Sequence, residues 1–72
     1  MWILKSTKTL PNGHVTVGYY VAVHDSPLGY FMESDSNIFR AKRFKTKKEA
    51  VDALAFTGRK IGKEWEVIKI AS

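Results

Sequence analysis

Residues 14–24 alternate in character. Val15, Val17, Tyr19, Val21 and Val23 take one parity, and Thr16, Gly18, Tyr20, Ala22 and His24 take the other. A period of two carried by β-branched residues predicts a half-buried strand. Gly18 in its middle predicts a bulge or a close backbone approach at that point. Upstream, the bulky residues 2–4 read as a strand, and residues 5–10 lead from it to Pro11-Asn12-Gly13. Asn-Gly predicts a hairpin turn, because both residues tolerate positive φ. Asp25-Ser26-Pro27-Leu28-Gly29 is turn chemistry. Residues 30–33 read as a third strand and 34–37 as a polar connection. Residues 38–44 carry Phe39 and Phe44 inside a basic run, and read as a short strand or as an extended lead-in to a helix.

The helix itself is marked at both ends. Thr46-Lys47-Lys48-Glu49 has the spacing of a capping box, in which the Thr46 hydroxyl accepts from the Glu49 N–H and the Glu49 carboxylate reaches back to the Thr46 N–H. Ala50, Val51, Leu54 and Ala55 then recur with helical spacing, and Gly58 supplies a stop. The predicted helix is 47–57. Residues 64–70 read as a last strand, with Trp65 and Val67 on one parity and Ile68 and Ile70 on the other, so either both faces are covered or a bulge shifts the phase. The order β-β-β-α-β, with residues 38–44 as an optional further strand, predicts an α+β fold: one domain with a small antiparallel sheet of about four strands and the helix packed on one face.

At 72 residues a single domain is expected. Such a domain leaves much of its surface wet and is marginally stable. There is no Cys, which removes disulfides and thiolate metal sites. The core is therefore expected from the branched aliphatics and from Trp2, Tyr19, Tyr20, Tyr30, Phe31, Phe39, Phe44, Phe56 and Trp65, with a homodimer as a second source of stability. No apolar run reaches the roughly 18–20 residues of a membrane span. The first residues do not read as a secretory signal, so the expected location is the cytoplasm, with no membrane partner.

Twelve Lys and Arg against seven Asp and Glu give a net charge of +5, which favours polyanions as partners. The charge is concentrated: Arg40, Lys42, Arg43, Lys45, Lys47 and Lys48 fall within residues 40–48. On an extended strand Arg40 and Lys42 share one face and Arg43 and Lys45 the other, so only a bend unites them. Lys47 and Lys48 sit in the first helical turn, where the macrodipole disfavours cations but free N–H groups attract anions. This segment, with Arg59, Lys60 and Lys63, is the candidate set of phosphate contacts. Tyr20, opposite the Val face, is with Tyr30 or Phe31 a candidate for stacking on bases if that face is exposed; otherwise these rings complete the core or form a protein-binding patch. The competing reading of the basic run is an edge strand protected from aggregation by its cations.

Catalysis and metal binding find little footing. There is no Cys nucleophile, no Ser in a nucleophile-elbow setting and no Gly-rich phosphate loop before a helix. Glu49 is occupied by capping, and the remaining carboxylates are scattered. His14 and His24 lie about 30 Å apart on a straight strand and cannot share a metal. The expectation is a non-enzymatic binding protein without cofactor or metal.

The string Asn37-Ile38-Phe39-Arg40-Ala41-Lys42-Arg43-Phe44-Lys45-Thr46-Lys47-Lys48-Glu49-Ala50, with the closing Trp65-Glu66-Val67-Ile68-Lys69-Ile70, resembles small proteins of phages and prophages of Gram-positive bacteria. The resemblance covers the second half and implies an origin in a bacterial host's cytoplasm more than an activity. Phe44-Lys45-Thr46-Lys47-Lys48-Glu49-Ala50 is also similar to the strand-to-helix junction of the arm-type DNA-binding domain of tyrosine integrases, a three-stranded sheet and helix whose sheet enters the major groove. This chain departs from that pattern by a strand after the helix. Two partners are therefore expected: nucleic acid, DNA ahead of RNA, or a host protein inhibited or adapted through an aromatic sheet face or a free strand edge.

Overall fold

In a computed structural model that describes residues 1–62 and 64–71, the chain forms β1 (Trp2–Thr9), β2 (Val15–Ser26), β3 (Gly29–Asp35), a 3-10 turn (Ile38–Arg40), α1 (Lys47–Phe56) and β4 (Trp65–Lys69). The strands make one antiparallel sheet in the order β3-β2-β1-β4. This is the α+β arrangement expected. The first and third strands are longer than the apolar pattern suggested, because ladder pairing recruits polar flanks: Lys5 to Thr9 pair with Tyr19 back to Val15.

The first hairpin turns at Pro11-Asn12-Gly13 as expected, but with positive φ at one of the two residues rather than both. Gly13 N–H donates to the Leu10 carbonyl, and Leu10 N–H donates to the His14 carbonyl at 2.7 Å. Gly13 has φ +87° and no non-glycine residue among the described residues has positive φ, so Pro11 and Asn12 make an ordinary turn and Gly13 alone takes the left-handed position. The second hairpin closes on the pair Ser26 and Gly29, leaving Pro27 and Leu28 at its tip.

The bulge falls between Tyr20 and Ala22, later than Gly18 predicted. A Cβ on Gly18 would meet Ser34 at 3.7 Å, an ordinary contact. The reason for the later position lies far along the chain. Pairing of β1 with β2 runs only from Thr9 to Lys5. Beyond it, Lys42 N–H donates to the Tyr20 carbonyl at 2.9 Å, and Phe44 exchanges both backbone hydrogen bonds with Trp2 at 2.8 Å. Residues 42–44 thus fill the opening where β1 and β2 part. The segment read as a strand or a lead-in is a 3-10 turn followed by this wedge.

The bulge flips side-chain parity. Tyr20 and Val23 both join the helix side, while Val15 and Val17 are left exposed on the other side. The core comprises Leu4, Tyr20, Phe44, Ala50, Leu54 and Trp65, with Trp2, Val23, Met32, Ala53 and Val67 packed around it. Ile3 is fully buried on the opposite parity, paired with Ile68. The β1–β4 pair therefore carries buried or half-buried apolar residues on both faces, which accounts for the mixed parity of β4 without a bulge.

α1 starts and stops where its caps lie. Thr46 Oγ1 accepts from Glu49 N–H at 3.1 Å. At the other end Gly58 N–H donates to Ala55 and Arg59 N–H to Leu54, with Gly58 at φ +80°. That pair of bonds is the Schellman termination, and it requires a residue free to adopt positive φ. Four rings expected in the core are instead exposed: Tyr30, Phe31, Phe39 and Phe56.

Candidate functional site

The cations of residues 40–48 do not act as one group. Arg40 is taken: its Nη1 bonds Asp35 Oδ2 at 2.8 Å and its Nη2 bonds Glu33 Oε2 at 3.1 Å. The other Glu33 oxygen meets His24 Nε2 at 2.7 Å. The His24 bond, helped by Arg40, holds the Glu33 carboxyl below its usual range. The Asn37 backbone N–H, again with Arg40, does the same for Asp35. Glu33 and Asp35 have opposite parity to Met32 and Ser34, so this network lies on the sheet face away from α1. It anchors the 3-10 turn from which the wedge departs.

The remaining five, Lys42, Arg43, Lys45, Lys47 and Lys48, are exposed, and none takes part in an ion pair among the described residues. Their backbone is fixed at both ends. Ala41 and Phe44 are buried and Phe44 is bonded to Trp2, while Thr46 caps the helix that carries Lys47 and Lys48. Lys42 Nζ lies 5.8 Å from the Phe44 ring centroid, so the ring beneath supports the cation without neutralising it. Burying Ala41 and Phe44 turns both intervening residues outward, and the bend at 45–46 turns the chain into the helix. Strict alternation would have divided the charges between two faces.

Arg59 and Lys60 are exposed at the far end of α1, whose ten residues span about 15 Å. Arg59 lines a cleft of about 350 Å³ with Ser6, Gly18, Ser34 and Glu64 rather than joining the five. Lys63 lies outside the described residues. Tyr20 is 6% exposed, with its ring centroid 5.9 Å from that of Phe44. Burial also raises its phenol pKa. The stacking role considered for Tyr20 is therefore corrected: the bulge and the wedge turn the ring into the core.

The rings that are available lie elsewhere: Tyr30, which the sequence offered for stacking beside Tyr20, and Phe56, which it did not. Tyr30, 64% exposed, meets Phe56, 62% exposed, edge to face at 5.1 Å. An apolar cleft beside them, about 460 Å³, is lined by Tyr20, Val21, Val23, Lys42 and Ala53 among others. Phe56 is out of step with the Ala50–Leu54 stripe, and that spacing was the available signal. No helix among the described residues is long and apolar enough to cross a membrane. No family model, curated protein or solved structure matches the chain.

Proposed function

We propose that the chain is a non-enzymatic binding protein of phage type that engages nucleic acid, DNA ahead of RNA, through Lys42, Arg43, Lys45, Lys47 and Lys48. The observation that carries this reading is the division of labour within one basic segment. Arg40 is neutralised by carboxylates and holds the turn in place, whereas the five cations after it are exposed, and unpaired among the described residues, on a backbone pinned by a sheet wedge and a helix cap. A pinned backbone leaves only side-chain freedom to lose on meeting phosphates, and association then gains from counterion release. Such contacts position a protein on a backbone without reading sequence. The test is fluorescence anisotropy with labelled duplex and single-stranded oligonucleotides at low salt. Saturable binding that Lys45→Ala and Lys47→Ala each weaken supports the reading; a flat titration for every oligonucleotide rejects it.

A second reading rests on a different observation, the exposed Tyr30–Phe56 pair beside an apolar cleft. Exposed aromatics next to a pocket suit a protein partner. Under that reading Phe56→Ala abolishes capture of a host protein, while changes at the five cations leave it intact.

A further inference from the structure

β3 is an edge strand with its outer side unoccupied. Its hairpin closes through Pro27 and Leu28 on the pair Ser26 and Gly29, and a two-residue turn requires that pair to exchange both backbone bonds. Alternation then points the N–H and C=O groups of Gly29, Phe31, Glu33 and Asp35 toward β2, and those of Tyr30, Met32 and Ser34 outward. Among the described residues no turn, loop or cap bond reaches these outward groups. β3 has few of the devices that keep edges apart, its two charges, Glu33 and Asp35, both being held by Arg40. It has no Lys, no Pro and no bulge of its own, and it carries the exposed rings of Tyr30 and Phe31. The opposite edge, β4, is shorter and carries the exposed charges Glu66 and Lys69.

We infer that β3 pairs antiparallel with β3 of a second copy, about a two-fold axis at Met32. The register is set by charge and size. An axis at Glu33 sets Glu33 against its own mate, and an axis at Ser34 sets Glu33 against Asp35; like charges directly opposite destabilise a sheet. An axis at Phe31 or Tyr30 leaves the end of β3 unpaired. The axis at Met32 engages the whole strand, from Gly29 against Asp35 to Asp35 against Gly29, and opposes no two carboxylates. It brings outward-pointing backbone groups together in each bonded pair: Tyr30 with Ser34, Met32 with Met32, Ser34 with Tyr30. On the helix side the large Tyr30 meets the small Ser34, and on the other face Phe31 meets Glu33. The first half of the strand is bulky and apolar and the second half is small or acidic, so antiparallel self-pairing matches unlike halves. The two sheets become continuous, with both helices on one face.

Sedimentation equilibrium of the full chain, from micromolar to about 1 mM, tests this together with Phe31→Glu and Phe31→Lys. Both variants remove the same exposed ring. Glu at 31 faces Glu33 of the other copy twice, and Lys at 31 makes the same two contacts attractive. The expected result is a dimer whose dissociation constant is about tenfold or more higher for Phe31→Glu than for Phe31→Lys. Ser34→Pro removes an outward N–H that the chain's own ladder does not use, and is expected to weaken the dimer with folding, followed by circular dichroism, retained. A wild-type chain that stays monomeric throughout overturns the inference. So does an equal response of the two Phe31 variants, which would indicate unspecific apolar association.

Discussion

The half of the molecule built on β1, β4 and α1 and the outer half of the β2–β3 hairpin are made of similar residues and end up in opposite environments. In the first half Ile3, Leu4, Phe44, Ala50, Leu54 and Trp65 are all buried. In the second, from His24 to Phe31, no residue is buried, and Leu28, Tyr30 and Phe31 are exposed. The difference is one of coverage. α1 lies over β1 and β4, and at the outer half of the hairpin its Phe56 meets Tyr30. With one ten-residue helix, the chain can roof only part of its sheet. Stability is therefore concentrated at one side, and the surfaces left for recognition are the hairpin and the cationic segment that joins it to the helix.

The largest effect expected from this contrast is at Leu54. It is 1% exposed, and Leu54→Ala should cost about 2–5 kcal/mol in urea unfolding, a large share of what a domain this size has. Phe56→Ala, two residues away, should cost less than about 1 kcal/mol, because the ring is mostly in water already. Comparable losses at the two positions would break the contrast. A smaller effect is expected at the helix start, where Thr46→Ala removes the hydroxyl that receives the Glu49 N–H and should cost about 1 kcal/mol. Thr46→Asp should restore most of it.

The smallest stability effect concerns the carboxylates that hold Arg40. Glu33 and Asp35 have folded-state pKa values below their ordinary ones, so the unfolded chain binds protons more readily. Their contribution is fully present above the ordinary carboxylate range and fades as pH falls through the lowered folded values. Arg40→Ala should make this acid limb shallower, the His24 and Asn37 bonds keeping the rest, without altering the neutral-pH response of Leu54→Ala. Unfolding midpoints tracked from neutral to acid pH read the slope directly, and an unchanged acid limb would show that Arg40 contributes nothing to it.

The same contrast explains what was legible in the sequence. α1 was marked by local chemistry at both ends, Thr46 with Glu49 at its start and Gly58 at its stop, and its observed limits differ from expectation by one residue. The hairpins were marked by Pro11-Asn12-Gly13 and by Asp25 to Gly29. Gly18 signalled a bulge in β2 but not its place, because nothing at Tyr20 to Ala22 encodes it. It accompanies the bond from Lys42, a residue distant in sequence, which takes the place that β1 would have held. That single long-range substitution reverses which side Val23 faces, buries Tyr20 and exposes Val15 and Val17. For the candidate site, the richness of residues 40–48 in cations was plain. The separation of Arg40 from the other five depends on Glu33 and Asp35 being brought beside it by the fold, and no spacing rule reveals that.

The most direct test of the division between Arg40 and the five free cations is the salt dependence of oligonucleotide binding. It compares the wild-type chain, Arg40→Gln, and a variant with Lys42, Arg43, Lys45, Lys47 and Lys48 changed to Gln. Each phosphate contact contributes about 0.9 to the slope of log K against log salt on duplex DNA. A steep wild-type slope is expected, with a nearly unchanged one for Arg40→Gln and a slope reduced by several units for the five-residue variant. Equal slopes for all three proteins, or a larger loss at Arg40 than at the five together, would contradict that division.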